Sequence, residues 1–178
     1  MYDGVGRRSD QSEGRFLNIG QHSLNGYERN CLFRGRPDGT FVDVAYPNAA
    51  DRVEDGRGLS VLDYDGDGRL DLVLRNYRQP AQLLHNVGGG NRWLQLRLVG
   101  ARSNRDAVGA RVRVLAGGRW QTRVVTAGSG YLSGHSLVQH FGLGAAPRAD
   151  RVEVDWPSGA RSVHGPLDAG RHELAETP

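Results

Sequence analysis

Lysine is absent from the 178-residue chain, and all 23 basic residues are arginines. Arginine suits bidentate contacts to carboxylate and phosphate. A genome rich in GC codons accounts for the bias better than a demand for anion recognition, so it does not by itself argue for an anionic partner. The formal net charge of +3 is too small to argue for nucleic acid. No basic run interleaved with aromatics and no recognisable nucleic-acid module is present, so no nucleic-acid partner is expected. A single cysteine, Cys31, excludes an intramolecular disulfide and a thiolate zinc cage. It stands beside Leu32 and Phe33 with no base nearby in sequence, and a buried, inert thiol is expected. No apolar run reaches the ~18 residues of a membrane span, so no membrane partner is expected. The N-terminal Met1-Tyr-Asp-Gly-Val-Gly-Arg-Arg lacks the apolar core of a signal peptide. A cytoplasmic protein is therefore expected, unless the sequence is trimmed from a secreted one.

What the chain has in quantity is glycine, 26 residues, with turn signals at short intervals. Short β-branched runs between such signals predict an all-β fold. Asn30–Phe33 and Thr40–Val44 flank Arg36-Pro-Asp-Gly39, a turn signature in which Pro presets φ and Gly accepts a positive one. Further strands are predicted at Gly58–Leu62, Leu70–Arg75 and Ala81–His85. In Arg92–Val99, Leu94, Leu96 and Leu98 share one face and Trp93, Gln95 and Arg97 the other, which predicts a half-buried strand. Ala110–Leu115 and Trp120–Thr126 form a predicted hairpin. More strands follow at Leu137–Phe141, Arg151–Trp156, Ala160–Val163 and Arg171–Leu174, and together they argue a β-sandwich.

Between two of the strands lies Asp63-Tyr-Asp65-Gly-Asp67-Gly-Arg69-Leu-Asp71. Carboxylates at relative positions 1, 3, 5 and 9, with Gly68 at position 6 and the Arg69 carbonyl at position 7, match the oxygen supply that a hard Ca²⁺ ion requires. An EF-hand would need a Glu at position 12 and flanking helices, but position 12 is Leu74 and the flanks read as strands. A plain Asp-Gly turn is the bland alternative. Four carboxylates within nine residues repel one another without a cation, which favours the metal.

This loop between strands resembles the calcium loops of FG-GAP and VCBS propeller repeats. Downstream, Val108-Gly-Ala-Arg-Val-Arg-Val, Gly128-Ser-Gly-Tyr-Leu-Ser133, His140-Phe-Gly-Leu-Gly144 and Val154-Asp-Trp-Pro-Ser-Gly159 resemble the ASPIC/UnbV domain of cartilage-acidic-protein-like proteins. The likeness covers roughly residues 28 to 175. It implies calcium as cofactor, a single propeller-like four-stranded blade over 27–90 and an ASPIC/UnbV-like β-sandwich over 91–178, while ahead of it the Gly-rich polar residues 1–26, with one apolar patch at Phe16–Ile19, read as a loosely ordered arm ending in one strand. One blade cannot close a propeller, which takes about four to eight, so the lone blade must cover a sandwich edge or pair with a second copy in a homodimer.

Two further constellations invite chemistry. Arg111, Arg113 and Arg123 belong to a basic cluster that reads either as a patch for sulfated or phosphorylated ligands or as the solvated side of the sandwich. The glycine-rich loop around Tyr131, His135 and Ser136, with Asp106, supplies the groups of a small polar pocket, though no Gly-x-Ser-x-Gly elbow or triad spacing accompanies them. His22, His85, His135, His140, His164 and His172 show no zinc spacing, and structural roles are expected for them. The leading expectation is a calcium-binding interaction module with a protein or small-molecule partner. A tailoring enzyme of bacterial natural-product biosynthesis, implied by the UnbV likeness, is the alternative, and a glycan or anion binder the third.

Overall fold

The computed structural model describes residues 28–178. The arm expected over 1–26 and the strand expected at Phe16–Ile19 lie outside the described residues. The rest is all-β: β1 (Phe33–Gly35), β2 (Phe41–Asp43), β3 (Gly56–Leu62), β4 (Asp71–Asn76), β5 (Gln82–Leu84), β6 (Arg92–Val99), β7 (Arg111–Ala116), β8 (Arg119–Val124), β9 (Gln139–Gly144), β10 (Arg148–Ala149), β11 (Arg151–Asp155), β12 (Arg161–His164), β13 (Leu167–Asp168) and β14 (Gly170–Ala175).

Strands β6 to β14 contribute sheets β12-β11-β7-β8 and β14-β6-β9, with the short pair β10-β13 beside them. Alternation builds the core. Val112 and Val114 of β7, Val152 and Val154 of β11, Leu94 and Leu96 of β6, and Phe141 of β9 are all fully buried in one cluster. Each contributes about 1.5–3 kcal/mol by leaving water. Trp156 closes one side and its indole N–H donates to Ser162 Oγ at 3.0 Å. The β7–β8 hairpin turns through Gly117 and Gly118, whose φ values of 54° and 75° fit the two left-handed positions of a type I′ turn. β14 runs parallel to β6, a long-range pairing that leaves β6 in the middle of its sheet.

Strands β3-β4-β5 form an antiparallel meander. The hairpin β1-β2 stands apart as a two-stranded sheet, so the expected four-stranded blade is a three-stranded sheet with a neighbouring hairpin. The chain leaves β2 through the 3-10 turn Tyr46–Asn48, where Pro47 offers no backbone donor and Ala49 adopts φ 53°; this turns it away before β3 begins. Cys31, ahead of this hairpin, is exposed rather than buried. A hydrogen bond with Asp43, followed by partial desolvation and the same negative charge, holds its thiol above the ordinary value.

Among the described residues, the meander and the β1-β2 hairpin form sheets separate from those of the sandwich. The acidic loop of the meander lies against the Gln95 face of β14-β6-β9, and Gln95 is buried with Leu94 and Leu96 while Arg97 on the same face stays exposed. In the reverse direction, the 128–136 segment of the sandwich runs along β3, the edge strand of the meander. Val61 N–H donates to His135 Nδ1, Ser136 N–H donates to Val61 O, and Ser60 Oγ donates to the Gly134 carbonyl at 2.8 Å.

Candidate metal centre

The loop between β3 and β4 closes through its own carboxylates. Asp63 Oδ1 accepts from Gly66 N–H at 2.8 Å and Oδ2 from Gly68 N–H at 3.0 Å. Asp65 accepts from Asp67 N–H, and Asp67 from Arg69 N–H. Gly66 and Gly68 sit at φ 79° and 87°, which the turn requires and side chains resist. Asp71, 1% exposed, accepts from Tyr64 N–H with one oxygen and from Asn86 N–H with the other, fixing the start of β4 to both flanking segments.

One oxygen from each of Asp63, Asp65 and Asp71 lies within 4.8 Å of the others. Oxygens sharing a Ca²⁺ ion at about 2.3–2.6 Å are separated by no more than that order of distance, so the donor set fits a hard cation. Asp67 falls in a second group with Asp65 and His85 and pairs with the Arg69 guanidinium, whose Nε donates to the Asn86 carbonyl. The His85 ring lies 3.1 Å from Asp65 Oδ2 and stacks edge-on against Tyr64. As a nitrogen donor it suits a softer ion than calcium, so its contact is read as support for the loop.

A single row of side chains on the sandwich grips this loop. Arg171, Gln95 and His140 are cross-strand neighbours on β14, β6 and β9. Gln95 Nε2 donates to Asp63 Oδ2 at 2.7 Å, Arg171 Nε donates to Gln95 Oε1, and His140 Nε2 donates to the Gly68 carbonyl at 2.9 Å. Arg171 adds a longer approach to Asp63 at 3.7 Å. Trp93 lies against Gly68, so close that a Cβ there would be 1.7 Å from the ring. None of these four was singled out from sequence as facing the loop. The sole signal was an amide, Gln95, inside the apolar run of β6.

The other predicted groups separate. Tyr131 is two-thirds exposed and lines a cleft on the meander. His135 spends Nδ1 on the Val61 amide, and Ser136 Oγ accepts from Val138 N–H. Asp106 pairs with Arg105 in the loop that folds over Glu176 and does not line either cavity beside Tyr131. In the basic cluster, Arg111 binds Asp155 through Nε and NH2, and Arg113 reaches Glu153 at 2.6 Å. Arg123 lies over the Phe141 ring. Arg151 and Arg161 also bind Glu153, so the face is a cross-strand charge ladder. Burial would raise the Glu153 carboxyl, but the Arg161 hydrogen bond and the three guanidinium charges outweigh it and hold it low.

Comparison with known proteins agrees with this architecture. Residues 100–176 match the family described as ASPIC and UnbV; residues 16–74 match an FG-GAP-like repeat and 56–94 an FG-GAP repeat. The matches to the FG-GAP models thus precede the match to the ASPIC and UnbV model along the chain. It is similar to cartilage acidic protein 1 of Mus musculus, 40% identical over 127 residues that cover 65% of this chain and 19% of the relative. The Homo sapiens protein is 40% identical over 120 residues, covering 63% and 18%, and that of Xenopus tropicalis is 36% identical over 146 residues, covering 77% and 22%. The chain thus spans about a fifth of the length of these relatives. All three are animal proteins, not members of the bacterial setting expected from the UnbV likeness.

Proposed function

We propose that the chain is a calcium-binding, all-β interaction module in which the ion is structural. The observation that carries this reading is the position of the acidic loop: the carboxylates of Asp63, Asp65 and Asp71 converge, and the Arg171-Gln95-His140 row presses the same loop onto the sandwich. Asp63, Asp65, Asp67 and Asp71 with the Arg69 carbonyl would hold the ion, which supplies the positive charge that lets the carboxylates stay together. FG-GAP repeat sequence over the loop supports calcium as that ion. The carboxylates' own contacts to backbone amides and to Gln95 keep the loop shaped for it.

Calorimetric titration with Ca²⁺ tests the reading. One ion per chain is expected, with Asp63→Asn and Asp71→Asn each weakening it strongly. Mg²⁺, which demands tighter octahedral geometry, should bind less well. Absence of saturable Ca²⁺ binding to the folded chain would contradict the proposal.

A further inference from the structure

The end of the meander opposite the metal loop carries a cleft that none of the calcium donors lines. Its volume is about 410 Å³, and Arg57, Arg75, Tyr77, Tyr131 and Leu132 form its walls above Gly58. The shape follows from a bulge. Gly56 faces Asn76, yet Gly58 already faces Arg75, so Arg57 is an extra residue in β3. Bulges re-aim side chains next to sites, and this one brings Arg57 to the same rim as Arg75 and Tyr77. Gly58 allows the sandwich loop to close the opposite wall: a Cβ there would stand 3.4 Å from Arg75 Cβ and 3.5 Å from the Tyr131 carbonyl.

The wall chemistry is aromatic and cationic. The guanidiniums of Arg57, at 5.8 Å, and Arg78, at 5.4 Å, both approach the Tyr77 ring, and Arg57 also pairs with Asp55. Arg75 donates to the Asn76 carbonyl, and neither Arg75 nor Arg78 forms an ion pair with a carboxylate of the described residues. At the loop tip, Leu132 is 85% exposed with φ 47°, a left-handed conformation that a leucine adopts only under constraint. Constraint of this kind clusters where loops hold ligands.

We propose that the cleft binds a small organic anion bearing its carboxylate or sulfate on a six-membered ring. The planar guanidinium of Arg75 takes the charged group in bidentate fashion, and Tyr77, Tyr131 and Leu132 take the ring. The volume suits a ligand of this size, and bare inorganic anions would leave the apolar wall wet. The proposal does not rest on the calcium reading. Its test is run on the full chain in saturating calcium so that loop occupancy stays constant.

Heteronuclear NMR titration with 4-hydroxybenzoate and with glucuronate separates an aromatic acid from an acidic sugar, with acetate and phenol as half-ligands. At least one ring acid should saturate at one per chain with shifts around the cleft, and both half-ligands should bind about tenfold more weakly or worse. Arg75→Gln should weaken the ring acid by about tenfold or more, as loss of a charge-assisted hydrogen bond implies. Tyr131→Ala, at an exposed side chain, should weaken it without moving the melting temperature, and it carries the test if the Arg75 variant fails to fold. Failure of both ring acids to saturate would overturn the proposal. So would acetate binding as tightly as either of them, or wild-type affinity in the Tyr131 variant.

Discussion

Gly68 carries two demands at once. Its φ of 87° belongs to the turn of the metal loop, and its α-carbon lies against the Trp93 ring. Gly68→Ala forces a Cβ into that ring and into a left-handed backbone, at a cost of about 2 kcal/mol or more. A lowered melting temperature together with weaker Ca²⁺ binding is expected. A variant of wild-type stability would show that the contact with Trp93 is not made. Glu176 holds the opposite end of the sandwich: one carboxylate oxygen accepts from the N–H groups of Ala101, Arg102 and Ser103, and the other from the hydroxyls of Ser103 and Ser158. Burial would raise its carboxyl, but the Ser158 and Ser103 contacts and the backbone donors outweigh this and lower it from 4.5 to about 2. A group depressed on folding stabilises the native state above its unfolded value. That contribution fades as pH falls from about 4.5 towards about 2. Glu176→Gln should lower the melting temperature at neutral pH and flatten the acid limb of the stability profile. Parallel acid limbs for the two proteins would count against the clasp.

Two elements protect each other. β3 would present a bare row of amides and carbonyls, which invites pairing with another chain, but the 128–136 segment occupies that row through His135, Ser136 and Gly134. Replacing residues 129–134 with a short Gly-Ser link should leave the sandwich folded and raise light scattering on warming; unchanged scattering would mean that the edge needs no cover. On the far sheet, Glu153 sits among Arg113, Arg151 and Arg161. Glu153→Ala should lower stability by leaving three like charges together, and added salt should partly restore it by screening them. Salt insensitivity in that variant would point to lost packing as the cause. The individual strands were legible beforehand because alternation fixes which residues face the core, as at Val112 and Val114. So were the local hairpins β1–β2 and β7–β8, but the long-range pairings were not. Parallel β14 beside β6 and the splitting of β1-β2 from the meander depend on long-range contacts that leave no local periodicity.

For the whole molecule, the convergence of Asp63, Asp65 and Asp71 was legible in their spacing, because a short loop is local, whereas the grouping of Asp67 with Asp65 and His85 was not. The surface that receives the loop could not be read, because Gln95, His140 and Arg171 meet only through the register of three strands distant in sequence. The same limit hid the end of the anionic-patch reading: Glu153 and Asp155 reach Arg113 and Arg111 only across the β7-β11 ladder. Because the acidic loop is shared between meander and sandwich, an ion there would stabilise both. At one hundred times its dissociation constant, free Ca²⁺ adds about 2.7 kcal/mol to the folded state. The decisive measurement is calorimetric melting of the wild type and of Asp67→Ala, each with excess Ca²⁺ and with EDTA. The account predicts a lower wild-type melting temperature in EDTA and a variant whose melting is the same in both conditions. Superimposable wild-type curves with and without chelator would contradict it.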